Sequence, residues 1–355
     1  MILLPEVLRR VSALLDQDTR VHVCASSGAL YDALAHPDAW GTITVHDSTY
    51  DAGAYLVRAR PHALDIAGGT PRAAAMMLDC LAAAGVSLRA VGLRFSEMQG
   101  LVDDLMRSLG NMSDLERLSL SFHTAFAGEQ GVRLDLPGLP ALRSLRVHDA
   151  SYPANADLNF VGNRFPALHA VDIVVRSADL MSCIGVMPAL RDVRYSALRE
   201  DYRHVCMGDA RLSALRLDVR STGAARRLMH GLAEAGAVDR LRLCVYADDV
   251  QLPARVGALR DVSVLLHAPA LTLTARSEFL RGLRGLSVRH PWNDDGWPPE
   301  HWTLVVEDMH FRDFAEWSAR SGFSVGKSCC LHVKPCVLAS PCPCPVAASP
   351  PAPPP

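Results

Sequence analysis

The chain has 355 residues, of which 49% are hydrophobic and 21% charged, with a formal net charge of -2. That is ample apolar material for a large core, while a slightly acidic chain with no aromatic platform among its basic residues is a poor nucleic-acid binder. No run of about 18 apolar residues spans a bilayer, and "MILLPEVLRR" breaks at Pro5 and Glu6 before a signal-peptide core forms, so a cytoplasmic or nuclear protein with no membrane partner is expected.

The first forty residues do not follow the pattern of the rest. The stretch "LPEVLRRVSALLDQDTRVHVCASSGALYDALAHPDAW" reads as two or three short helices. Pro5 suits a helix's first turn, Leu8, Val11 and Leu15 share one face, and Asp16-Gln17-Asp18 interrupts the periodicity before a second apolar run. So small a module cannot bury all of that surface itself. Leu4-Pro5, Leu8, Val11, Leu14-Leu15, Arg20, Val23-Cys24, Leu30, Pro37 and Trp40 follow one another in an order that resembles the F-box family. The resemblance implies docking on the Skp-type adaptor of a cullin ubiquitin ligase, with Leu4, Pro5, Leu8, Val11, Leu15, Val23, Cys24 and Leu30 making the contact. The same helices also suit a cap on the first turn of a solenoid, and the two roles are compatible.

From residue 88 an apolar triplet recurs: Leu88/Val91/Leu93, Leu115/Leu118/Leu120, Leu142/Leu145/Val147, Leu168/Val171/Ile173 and Leu190/Val193/Tyr195. It continues as Leu212/Leu215/Leu217, Val238/Leu241/Leu243, Leu259/Val262/Val264 and Leu283/Leu286/Val288. The starts lie 27, 27, 26, 22, 22, 26, 21 and 24 residues apart, the spacing of one strand and one return per unit. Weaker copies, Trp40/Ile43/Val45 and Pro61/Leu64/Ile66, precede them. The second and third positions of a triplet point to the same face of a strand, so stacked units pair as a parallel sheet. Segments 70–85, 96–110 and 221–236 each open on Ser or Thr and close on Gly, which predicts helices on the return path.

Over about residues 55–310 the pattern resembles the leucine-rich repeat family. The expected fold is therefore α/β: a leucine-rich repeat solenoid with a parallel sheet on its concave side, helices and loops on its convex side, and a small all-α module in front. Where that family places Asn or Cys in the turn, this chain has residues such as Glu97, Thr124, Ser151 and Ser177, which predicts irregular convex loops. Residue ranges 1–45, 46–326 and 327–355 are expected to be the helical module, the solenoid and a disordered tail. A closing helix is expected over 311–322 within the solenoid.

The residue between the last two triplet positions faces outward. In order these are Gly92, Ser119, Arg146, Asp172, Arg194, Arg216, Arg242, Ser263 and Ser287. Neighbouring strands are about 4.8 Å apart, so adjacent solvated arginines repel by about 1 kcal/mol. Either Asp172, Asp192 and Asp218 neutralise the column, or Arg146, Arg194, Arg216 and Arg242 form a substrate-binding row for an acidic or phosphorylated protein.

Chemistry is harder to find. There is no phosphate loop, nucleophile elbow or zinc-protease helix, and Asp308 with His310 reads as a turn, so no catalytic residue and no cofactor are expected. In the tail, Cys329, Cys330, His332, Cys336, Cys342 and Cys344 lack zinc-knuckle spacing, and Pro341, Pro343 and Pro345 favour an extended chain, so no metal is expected. The function expected is a substrate receptor of a Skp-cullin-F-box ubiquitin ligase, and the alternative is a repeat scaffold that never meets a ligase.

Overall fold

The computed structural model describes residues 42–46, 56–98, 102–124, 131–151, 153–197, 210–233, 238–246, 249–252, 260–266, 271–289, 302–309, 311–321, 323 and 329–334. The helical module and its eight adaptor-contact residues (Leu4, Pro5, Leu8, Val11, Leu15, Val23, Cys24 and Leu30) lie outside them.

The triplets become strands. Eleven of them form one sheet: β1 (Thr42–His46), β2 (Ala63–Ala67), β3 (Ala90–Met98), β4 (Arg117–Thr124), β6 (Ser144–Asp149), β8 (Ala170–Val175), β10 (Asp192–Ala197), β11 (Leu212–Val219), β12 (Val238–Val245), β14 (Asp261–Leu266) and β16 (Gly285–Arg289). Their order in the sheet is their order in the chain, and every pairing is parallel. The fold is thus α/β and solenoid-like. Each described triplet lies in register with the next, as with Leu118↔Leu145↔Val171↔Val193↔Leu215↔Leu241↔Val262↔Leu286. These side chains are no more than 5% exposed. Each such burial contributes about 1.5–3 kcal/mol, against the entropy of ordering the chain.

A second regularity lies just before the strands. The carbonyl of Arg89 accepts from the backbone N–H of both Glu116 and Arg117; Glu116 does the same for Arg143 and Ser144, and Arg143 for His169 and Ala170. Successive turns are clamped in this way, which keeps the register constant.

The return path is mixed. The expected helices form as α1 (Pro71–Ala83), α2 (Val102–Gly110) and, further along, α4 (Thr222–Ala233). Thr70 caps α1 by accepting from the Ala73 N–H at 3.2 Å, Pro71 occupies the first turn, and Gly85 ends the segment at φ +67. Residues 96–98, assigned from their Ser start to the second helix, instead prolong β3. Between these helices the irregular loops expected are in part ordered strands. β5 (Val132–Asp135), β7 (Ala156–Asn159) and β9 (Ser177–Ala178) form a three-stranded parallel sheet, followed by the single-turn α3 (Leu180–Cys183).

The stabilising device there is polar. Asp149, at the end of β6, is buried, and its carboxylate accepts from the backbone N–H of Ser151 (3.0 Å), Asn155 (2.6 Å) and Ala156 (2.8 Å). This acid does the work expected of the missing Asn. Arg176 donates to both oxygens of Asp157, Asn159 donates to Asp135 at 2.8 Å, and the Tyr195 hydroxyl of β10 donates to the Ala178 carbonyl at 2.7 Å. The Asn159 bond holds the Asp135 carboxyl below its usual range against the opposing effect of burial.

Toward the C-terminal end the return path is a four-stranded parallel sheet of β13 (Asp249–Gln251), β15 (Leu271–Arg276), β17 (Trp302–Glu307) and β18 (Cys329–Lys334). Residues 329–334 therefore belong to a strand rather than to the disordered tail expected from residue 327 onward. The short α5 (Ser277–Gly282) precedes β16, and the expected closing helix is α6 (Phe311–Ser321). Arg281 of α5 pairs with Asp313 of α6 at 3.4 Å. Phe314, Trp317 and Phe323 bury their rings together, with Trp317 centred 5.6 Å from Phe314 and 5.5 Å from Phe323. No helix among the described residues is long and apolar enough to cross a membrane.

Candidate functional site

The regular register turns one outward position per strand into a continuous row. It runs Thr44, Asp65, Gly92, Ser119, Arg146, Asp172, Arg194, Arg216, Arg242, Ser263 and Ser287. The four arginines proposed from the sequence thus share one row of one face, at intervals of about 4.8 Å.

Their electrostatic circumstances differ. Asp172 lies between Arg146 and Arg194 and pairs with both, at 3.7 and 3.5 Å through their Nε atoms. The side chains of Arg146 and Arg194 are 56% and 46% exposed, so each pair contributes no more than about 1 kcal/mol, but their charge is partly answered. His148, on the next outward row, is pushed below its ordinary value by burial and by Arg146. It is a neutral ring at neutral pH.

Two strands on, no carboxylate among the described residues bridges two arginines as Asp172 does. Among the described residues Arg216, Arg242 and the neighbouring Arg240 make no ion pair. Arg216 is half-buried; its Nη2 reaches Cys244 Sγ at 3.7 Å, and its buried Nε has no acceptor. An N–H so placed forfeits the free energy of a hydrogen bond. Asp218 accepts from the Ser196 hydroxyl at 2.6 Å. Burial, then Asp218, pushes the Cys244 thiol up, so it stays protonated and inert.

Arg216, Arg240 and Arg242 line a trough of about 600 Å³ that crosses β11, β12, β14 and β16. Asp261 is the one carboxylate in its lining, and Ser263, Ser287 and Ser321 supply hydroxyls. Asp261, cross-strand from Arg240, extends an oxygen toward β16, its Oδ1 3.1 Å from where a Cβ on Gly285 would sit. Gly285 leaves that space free. Ser321, the last residue of α6, brings the closing helix to the border of the face.

Sequence reasoning placed Arg216 and Arg242 in the site but passed over Arg240, which the two-residue alternation sets on the same face. It named Ser263 and Ser287 as outward residues without a role. Ser321 had no signal in the sequence, since only the fold returns α6 to this sheet. Among the described residues no group of three or more His, Cys, Asp or Glu is placed to hold a metal.

The fold and the face together define a solenoid-like α/β protein with a long parallel sheet and a basic trough on its outward side. No protein-family model matches the chain, and no curated protein matches it.

Proposed function

We propose that the chain is a leucine-rich repeat substrate receptor of a Skp-cullin-F-box ubiquitin ligase, acting in the cytoplasm or nucleus. Residues 1–45 dock the adaptor, and the outward sheet face holds an acidic or phosphorylated target protein. The receptor is not an enzyme. Its contribution is effective concentration, because a target held on one end of the chain stays near a conjugating enzyme held through the other.

The single observation that carries the target-binding half is the trough, where three arginines face one carboxylate, which extends an oxygen toward β16. Uncompensated like charge on a rigid sheet costs free energy that an anionic partner recovers. The adaptor-binding half is supported by the order of Leu4, Pro5, Leu8, Val11, Leu15, Val23, Cys24 and Leu30.

Affinity purification of the full chain beside a form lacking the first 45 residues tests both halves. The full chain should retain a Skp-type adaptor, and Leu4→Ala with Pro5→Ala should release it. Retention unaltered by those changes, or none at the outset, ends the ligase reading. A target captured without any adaptor leaves the repeat scaffold as the function.

A further inference from the structure

The outward row contains four arginines but only one short zone of unanswered charge. On one side that zone stops at Arg194, which Asp172 holds at 3.5 Å. On the other side the row passes to Ser263 and Ser287. The zone is therefore two strands wide, about 5 Å between neighbouring residues along the row, with Arg240 flanking it.

A run of carboxylates laid across the sheet would need cations at every rung, and this row offers them at two. A single group carrying two charges on three oxygens suits the zone better. It can take the forks of Arg216 and Arg242 and still accept from hydroxyls such as those of Ser263 and Ser287. The lining has no aromatic residue on which a nucleobase would stack, which argues against a nucleotide as the bearer of that group. The trough is also larger than the group alone requires and lies across an open sheet, so an extended chain can carry the group into it.

We infer that the trough bounded by Arg216, Arg240, Arg242, Ser263, Ser287 and Ser321 binds one phosphorylated serine or threonine on an extended segment of a partner protein. The inference rests on the reading of this face as a target-binding surface, and it narrows the target to a phosphoprotein. Arg216 and Arg242 clasp the phosphate oxygens, Arg240 adds its field from the side, and the serine hydroxyls donate to what remains.

The test uses the full chain and three immobilised degenerate peptide libraries that differ only at a fixed central residue: phosphoserine, serine or glutamate. At about 0.15 M salt, where exposed charges are screened, the phosphoserine library should bind at least about tenfold more tightly than either of the others. Arg242→Gln, at an exposed side chain that folding does not require, should abolish that preference, and Arg216→Gln should do the same in a chain whose thermal melting is unchanged. The pair Arg226→Gln with Arg227→Gln, exposed on α4 and off this face, should leave it intact. Millimolar inorganic phosphate should compete only weakly, because the segment contributes to binding.

Equal binding of the glutamate and phosphoserine libraries would overturn the inference. So would a loss on the α4 pair as large as that on Arg242→Gln, or complete displacement by inorganic phosphate. Failure here with adaptor retention intact refutes only the phosphate site. Phosphoserine binding without adaptor retention refutes only the ligase reading.

Discussion

The two stretches of the arginine row make an instructive pair. Arg146 and Arg194 flank Asp172 and share it, while Arg216 and Arg242 sit side by side with no carboxylate between them. Residue type, strand position and face are the same in both. What differs is the spacing: Arg146 and Arg194 are two strands apart with Asp172 on the strand between them, whereas Arg216 and Arg242 are on neighbouring strands with no rung between. In a parallel ladder a side chain's partner comes from the next repeat rather than from its own, so a charge pattern with no regular period along the chain becomes a local electrostatic feature on the sheet.

The largest effects should test what the two stretches share. Leu217→Ala beneath the trough and Leu120→Ala beneath the earlier strands each remove a fully buried side chain, and each should cost about 2–5 kcal/mol in urea unfolding. A marked inequality would show that the stack is not uniform. Next comes Asp149→Ala, which strips three backbone N–H groups of their acceptor and should cost about 2–4 kcal/mol; Asp149→Asn should cost less, since one acceptor oxygen survives.

Asp172→Asn breaks the comparison directly. Stability should change by no more than about 1 kcal/mol, but Arg146 and Arg194 lose their shared partner and the basic zone lengthens. Fluorescence anisotropy should then report tighter binding of a polyglutamate probe, and unchanged binding would mean that Asp172 does not shape the face. The smallest expected effect is one of pH. Burial and Arg146 depress the folded-state value of His148, so the unfolded chain binds the extra proton more readily. The contribution of His148 is complete above the ordinary histidine value near 6.5 and declines as pH falls below it toward the depressed folded value. His148→Gln should flatten that part of the stability-pH curve.

Much of this was legible in the chain. The triplets located the main strands, because inward aliphatic residues must alternate with outward polar ones to bury one face of a sheet. Thr70 with Pro71 marked a helix start for the same local reasons that make it one. The return-path sheets were not legible: β9 spans only Ser177–Ala178, too short for a periodic signal, and β18 lay in a segment that its prolines and cysteines marked as a tail. The buried role of Asp149 was hidden by its position, two residues before the turn position where an acceptor was sought. Within the site, register alone placed Arg216 and Arg242, whereas the reach of Asp261 toward Gly285 depends on a space that no single repeat encodes.

Eleven strands leave ten gaps, so the outward row is a scale about 48 Å long. A fully extended segment covers that distance in about 14 residues. A docked segment anchored at the Arg216 rung has seven strands on its β1 side and three on its β16 side, so what it meets is decided by how many residues lie on each side of the anchor. The geometry thereby converts position along a partner's chain into position along the sheet.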